Sequence, residues 1–200
     1  MKRIPILPTI LVVAAVAVMI TLGLWQGLVR LPEKEAQLAQ LAANPTRPPV
    51  AFPRSPDDRL LFRRSTADCR EVLGISRAGA GSAGYRLIAE CRTEGGGAPI
   101  KVQLGTTREP FQEVTWAGGR VSGWISHAPD ATPMIARLFT REPQQMLLVA
   151  AVPAAGLTAN TRPDVGIVPN NHLAYAGQWL FFAALAGVIY VLALRRRMRG

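Results

Sequence analysis

Residue types that commonly carry catalysis are scarce in this sequence. Its 200 residues include two histidines, His127 and His172, and two cysteines, Cys69 and Cys91. The sequence has no His-x-x-x-His, no Cys-x-x-Cys, no Gly-x-Ser-x-Gly and no phosphate-binding Gly-Lys-Ser/Thr. The carboxylates are scattered rather than arranged as a catalytic pair. Because no nucleophile–base or metal constellation can be assembled, the sequence predicts a protein that is not an enzyme, with His127 as a surface or strand-end residue.

Charge is absent from two long apolar runs, one near each end of the chain. Residues 4–24 are almost entirely aliphatic, and in residues 173–194 the one strongly polar side chain is that of Gln178. Each run has about the 20 residues that cross a bilayer core of roughly 30 Å. The first is longer than the apolar region of a signal peptide and reaches Trp25 without a small-x-small cleavage site, although a cleaved signal peptide is the alternative. We therefore predict transmembrane helices at residues 4–27 and 170–194.

The net charge of +10 is concentrated at the two ends. Six basic residues flank the apolar runs, which leaves 17 basic against 13 acidic residues in the middle, a net charge of +4. A diffuse charge without a basic block argues against a nucleic-acid partner. Cytoplasmic loops carry an excess of Lys and Arg, so both termini, residues 1–3 and 195–200, are predicted to be cytoplasmic. The chain is thus a predicted multi-pass protein of the inner (plasma) membrane with a periplasmic central domain.

The central part of the chain has the pattern of a small β domain. Residues 28–56 are predicted as a polar helix and a proline-rich linker, because proline lacks the N–H that a helix or central strand needs. Residues 57–169 alternate short apolar runs with glycine turns, which is typical of a mainly antiparallel barrel or sandwich. A short helix is possible at residues 130–139. The predicted strands are Leu61–Arg64, Cys69–Ser76, Tyr85–Thr93, Ile100–Leu104, Gly119–Ser126 and Met146–Val152.

The two cysteines flank the first predicted hairpin. If its loop is centred near Ala80 or Gly81, opposing residue numbers sum to about 160, and Cys69 and Cys91 lie opposite each other. Opposed Cβ atoms in an antiparallel pair are ~4.5–5.5 Å apart, which is close to disulfide reach. An extracytoplasmic domain meets an oxidising compartment, so a Cys69–Cys91 disulfide is predicted. Two buried free thiols are the alternative, because a one-residue change of register would place them on opposite faces.

The outer entrances of the two spans hold a candidate site. Asn170 or Asn171 can cap the second helix, and His172 then shares one helical face with Tyr175, Ala176 and Trp179. The positive end of the helix dipole disfavours a protonated imidazole, which would keep His172 in the neutral form that binds metals. The first span ends at the same level, and we expect a pocket that includes Trp25, Gln26, His172, Tyr175 and Trp179. The alternative is ordinary: aromatic side chains suit the headgroup zone, and the histidine faces water.

Two stretches at these entrances are similar to motifs of a known family. They are Leu22-Gly23-Leu24-Trp25-Gln26 with Arg30 and Lys34, and Asn171-His172-Leu173-Ala174-Tyr175-Ala176 followed by Trp179; Gly84-Tyr85 before a strand is a weaker third element. They resemble the Surfeit-locus (Surf-one type) cytochrome c oxidase assembly family, of which this chain would be a bacterial member. Two departures concern the outer domain: Leu104–Arg108 replaces the Asn-Arg-Gly-Trp that is common in the family, and Arg30 lies one residue further from the tryptophan.

The resemblance implies a function at the membrane. A family member would bind haem a, with the ligand histidine at His172, and assist its insertion into subunit I of cytochrome c oxidase. Haem a synthase is then a further expected partner, and a homo-oligomer is possible. Two alternatives remain open at this point. One is a copper-handling assembly factor that uses Cys69, Cys91, His127 and exposed methionines, since sulfur ligands suit Cu(I). The other is a two-span scaffold without a ligand.

Overall fold

The computed structural model describes residues 4–94, 97–130 and 143–199. The chain forms two compact units, Met1–Leu38 with Val168–Gly200, and Ala39–Ile167. Most of the short helix predicted at residues 130–139 lies outside the described residues, as does the N-terminal tail of residues 1–3.

The first unit is built from the two apolar runs. Helix α1 spans Ile6–Trp25, a π-helical turn follows at Gln26–Arg30, and helix α2 continues without a break over Leu31–Ala43. Helix α3 spans His172–Arg199. Both α1 and α3 belong to helices that are long and apolar enough to cross a membrane. The prediction of a long apolar helix on either side of a β domain is therefore confirmed.

Small residues bring α1 and α3 together as an antiparallel pair. An ideal Cβ on Gly23 would lie 2.9 Å from Leu180 Cγ, and one on Gly27 would lie 3.6 Å from the Cβ of Ala176. Thr9 hydrogen-bonds the hydroxyl of Tyr190 at the opposite end of the pair. Helices in lipid associate through such close backbone packing and interhelical hydrogen bonds rather than through the hydrophobic effect.

Replacing Gly23 by alanine should weaken this pairing, because its methyl group would press on the Leu180 side chain. Overpacking of a close contact costs about 1–3 kcal/mol. Gly177→Ala is the matched control, since a Cβ there meets nothing within 4 Å. Thermal unfolding in detergent should show a lower melting temperature for Gly23→Ala than for Gly177→Ala. Equal melting temperatures would contradict the close approach at Gly23.

The second unit is one mixed sheet of seven strands. The strand order is β1-β2-β6-β7-β5-β4-β3; the β1–β2 and β5–β7 pairs are parallel and the other neighbours are antiparallel. The edge strands β1 and β3 do not pair with each other, so the prediction of a closed barrel or a two-sheet sandwich is wrong for the described residues. The strands are β1 Val50–Ala51, β2 Arg64–Cys69, β3 Glu71–Gly79, β4 Tyr85–Arg92, β5 Ile100–Thr107, β6 Gly119–His127 and β7 Met146–Ala150.

The sheet is strongly curled at one end. Strands β2 and β3 are second and last in the strand order, yet Arg70 is the one residue between them. One residue spans at most ~3.6 Å, so the end of β2 must lie beside the start of β3. The Arg70 backbone N–H donates to the carbonyl of Arg92 at 3.0 Å, and Cys69 and Cys91 are joined by a disulfide with their Cα atoms 5.2 Å apart. The disulfide therefore joins β2 to β4 across the inside of the curl.

The hairpin register that led to the predicted cysteine pair is wrong. In the β3–β4 hairpin, Val72 lies opposite Cys91, and Cys69 belongs to β2. The predicted strand at Leu61–Arg64 is also wrong, because Phe62 has a left-handed backbone conformation (φ 65°) that interrupts an extended chain. Both cysteines are almost completely buried in the sheet's main core, with Leu87, Ala89, Val102, Leu104 and Leu148.

Candidate functional site

His172 and Gln26 form a hydrogen bond between α3 and the π-helical turn. His172 Nδ1 lies 2.7 Å from Gln26 Oε1, and both residues are half-buried. An amide oxygen only accepts hydrogen bonds, so the imidazole must donate from Nδ1. In a neutral imidazole the other nitrogen, Nε2, then keeps its lone pair. No hydrogen bond to Nε2 is present in the described part of the chain, so this lone pair is free for a ligand.

The π-helical turn sets the position of Gln26. The Leu31 N–H donates to the Gln26 carbonyl five residues earlier, so the backbone is wider here than in an α-helix. Gly23 and Gly27 lie on either side of Gln26 and allow the close approach to Ala176 described above. The two helices are therefore close enough here for the Gln26 side chain to reach His172, the first residue of α3. Turns of this kind occur frequently at functional sites.

The predicted aromatic residues lie beside the Gln26–His172 pair but do not form a closed cluster. Trp25 and Tyr175 are 45% and 49% exposed, and Trp179 is half-buried. The Arg30 guanidinium lies 5.7 Å from the ring centroid of Trp25 and forms an ion pair with Glu33. These three rings make no ring–ring contact with one another within the described residues. The structure thus brings Gln26 and His172 together, leaves about half of Tyr175 exposed and places the Arg30 guanidinium against the Trp25 ring.

The two asparagines before α3 do not cap it through their side chains. The Tyr175 N–H donates to the Asn171 carbonyl, as expected at a helix start. No hydrogen bond between either asparagine side chain and the first turn is present in the described part of the chain, so the predicted side-chain cap is wrong. Asn170 Oδ1 is instead a buried acceptor without a hydrogen-bond partner. A buried acceptor of this kind costs about 1–3 kcal/mol unless a ligand or water donates to it. The entrance to α3 therefore offers a hydrogen-bond acceptor close in sequence to His172.

The residues of the copper alternative already have other bonding partners. Cys69 and Cys91 are bonded to each other and so offer no thiolate while the disulfide is intact. His127 Nε2 lies 2.8 Å from Asp58 Oδ1 at the end of β6. In the residues that the structure describes, no three His, Cys, Asp or Glu side chains are grouped as a metal site.

A family model, the SURF1 family, matches residues 13–184 of the chain. The chain belongs to the SURF1 family. The match includes Gln26, the whole sheet unit and His172, so both halves of the candidate site lie within it. No curated protein and no solved structure matches the chain.

SURF1 proteins are membrane-associated assembly factors for cytochrome c oxidase. The two long apolar helices agree with this membrane association. The SURF1 family is not a known enzyme family. A ring nitrogen whose proton is fixed on the opposite side of the ring is suited to holding a ligand.

Proposed function

We propose that this SURF1-family chain binds haem a through His172 and assists its insertion into subunit I of cytochrome c oxidase. The observation that carries the proposal is the Gln26–His172 hydrogen bond. Metal-binding histidines almost always donate their second ring N–H to an acceptor, which fixes the tautomer and the ring orientation. Here the acceptor is Gln26 Oε1, and the free nitrogen is Nε2. His172 would hold haem a through this lone pair, and the bound group would supply the iron centre.

The residues around His172 suit a flat apolar ligand with polar groups at its edge. Trp25 and Tyr175 present about half of their surface, and aromatic faces bind flat rings through stacking. In this proposal haem a is a cargo, supplied by haem a synthase and passed to the oxidase.

The absorption spectrum of the purified chain tests the proposal. The full-length protein, extracted in detergent from cells that make haem a, should show a Soret band and about one haem for each site. Copper content, measured on the same sample, tests the copper alternative. A chain without a Soret band after incubation with haem would leave a scaffold without a ligand as the better interpretation.

Gln26→Leu should lower haem affinity by about 10- to 100-fold, the usual effect of removing the partner of a ligand histidine. Gln26→Glu keeps an acceptor oxygen at this position and should retain binding. Gln178→Leu is the matched control, because Gln178 is exposed on α3. Haem titration of the three variants, with the axial-ligand spectrum recorded, checks this expectation. Equal haem affinity in Gln26→Leu and Gln178→Leu would show that Gln26 has no role in haem binding.

The proposed function also requires that the Gln26–His172 site faces the outer side of the membrane. The basic tail at Arg195–Arg199 argues for a cytoplasmic C-terminus. A phosphatase reporter that works only in the periplasm should therefore be inactive after Gly200 and active after Pro56. Activity after Gly200 would contradict this topology.

A further inference from the structure

The sheet unit contains a cavity that the proposed function does not use. Its volume is about 340 Å³. Its floor comes from four neighbouring strands: Arg86 on β4, Gln103 and Thr106 on β5, Val149 on β7 and Ser126 on β6. The segment Thr161–Asp164 forms an exposed wall. Gln103 and Thr106 are each only 7% exposed, so the floor of this open cavity includes two buried polar side chains.

Two arginines of this cavity have no carboxylate partner. Arg86 donates from Nε to the Gly79 carbonyl at 2.9 Å, which leaves its two terminal nitrogens free. Arg162 stacks on Trp124, with its guanidinium carbon 5.2 Å from the ring centroid. Neither is in an ion pair with a described residue. Two guanidinium groups against the single carboxylate of Asp164 give the lining a net positive charge, which favours an anion.

The cavity also contains three uncommitted hydroxyl groups. Ser126, Thr106 and Thr161 line it, and none of their side-chain hydroxyls has a hydrogen bond within the described residues. By contrast, the Gln103 and Asn160 amides bond each other at 2.7 Å and hold the floor in place. Each free hydroxyl can donate one hydrogen bond as well as accept, so it can serve an anion as a donor. The one carboxylate in the lining is Asp164, whose Oδ1 accepts the Gly166 N–H.

We infer that this cavity binds a phosphate group. A phosphate offers several acceptor oxygens and up to two negative charges, which matches two guanidinium groups with hydroxyl donors around them. The same chemistry could come from a soluble phosphate or from the headgroup of a phospholipid. In either case Arg86 and Arg162 carry the charge recognition, and Trp124 holds Arg162 in a fixed orientation.

Calorimetric titration of the full-length protein in an uncharged detergent tests this inference. Inorganic phosphate is added at pH 8 and constant ionic strength, with chloride as the reference anion. Arg86→Gln and Arg162→Gln should each weaken binding by about tenfold or more, since each removes charge-assisted hydrogen bonds. Asp164→Asn should strengthen binding, because it removes the one negative charge in the lining. Arg120→Gln, an exposed arginine elsewhere on β6, is the matched control and should bind as the unmodified protein does.

A second arm tests a lipid phosphate. The protein is placed in nanodiscs of phosphatidylcholine, with and without phosphatidic acid. The emission of Trp124 is obtained by subtracting the spectrum of the Trp124→Phe variant from that of the protein that retains Trp124. Phosphatidic acid should change this emission in the unmodified protein, and Arg86→Gln should abolish the change. The basic tail attracts anionic lipid equally in both proteins, so it does not contribute to the difference between them.

The outcomes separate the sources. An effect of inorganic phosphate that needs both arginines supports a soluble ligand, and an effect of phosphatidic acid alone supports a headgroup. No preference over chloride together with no lipid effect would overturn the site, as would an equal loss in Arg120→Gln. If an arginine variant fails to fold, Thr106→Val serves instead and should weaken phosphate binding. The Soret band should be unchanged in these variants, so the test is independent of haem binding.

Discussion

Replacing His172 by alanine is expected to abolish iron ligation in the purified protein. The imidazole Nε2 is the nitrogen left free by the Gln26 hydrogen bond, and alanine supplies no nitrogen. Loss of the outer partner of a ligand typically costs 10- to 100-fold in affinity, so loss of the ligand itself should cost at least about 100-fold. The fold should persist, because His172 is the first residue of α3 and alanine is a good helix former. Haem content at equal membrane abundance is the measurement.

Two further variants separate ligation from stacking. Trp179→Leu should weaken haem binding less than His172→Ala, because ring contact area is lost while the iron bond remains. His127→Ala should leave the haem spectrum unchanged, since His127 lies in the sheet unit beside Asp58. Unchanged haem in His172→Ala would make that histidine an ordinary residue at a helix start.

Removing the Cys69–Cys91 disulfide is expected to destabilise the sheet unit by roughly 3 kcal/mol. The two cysteines are 22 residues apart, and the loss of chain entropy in an unfolded loop of this length is of that size. The Cys69→Ala, Cys91→Ala double variant should therefore unfold at lower urea concentration. Emission from Trp116, which packs against the same core cluster, can follow the transition in detergent.

Reduction of the unmodified protein is the control for this experiment. It breaks the cross-link while both buried sulfurs stay in place, so it separates loop entropy from the loss of packed side chains. The double substitution should destabilise more than reduction does, because it also removes two buried sulfur atoms. A loss below about 1 kcal/mol in both would mean that the curled end of the sheet holds together without the cross-link.

The helices and most strands of this protein could be predicted from local sequence patterns. An uncharged run of about 20 residues has one stable solution in lipid, so α1 and α3 follow directly from their sequences. The strands that start at Tyr85, Ile100, Gly119 and Met146 were each predicted to within a few residues at their other end. Strand β1 was missed because it has two residues and lies in a proline-rich segment.

Sheet topology could not be predicted, because it depends on contacts between distant strands. Alternation and glycine turns show where strands are, yet neither shows that β7 lies between β5 and β6. The cysteine pair shows the same limit. The hairpin argument named Cys69 and Cys91, whereas the structure joins them because β2 curls back towards β4. The predicted hairpin register and the observed curl of the sheet give the same cysteine pair for different reasons.

The candidate site was predicted in part. His172 and Gln26 were both named from their positions at the two membrane entrances, but their hydrogen bond depends on the π-helical turn. No sequence rule signals such a turn here, since Gln26–Arg30 contains ordinary helix-forming residues apart from Gly27. The pair Gly23-x-x-x-Gly27 was the available signal that the helices approach closely at this level.

The two halves of the site are made at very different times. Gln26 and His172 are 146 residues apart in the chain. At a synthesis rate of about 5–20 residues per second, Gln26 leaves the ribosome roughly 7–30 s before His172 does. During this interval the whole sheet unit is synthesised, and its last strand, β7, ends only 22 residues before His172. Under the proposed function, loading of haem at His172 therefore follows translation of almost the whole chain, and a chain truncated before His172 would lack the ligand nitrogen.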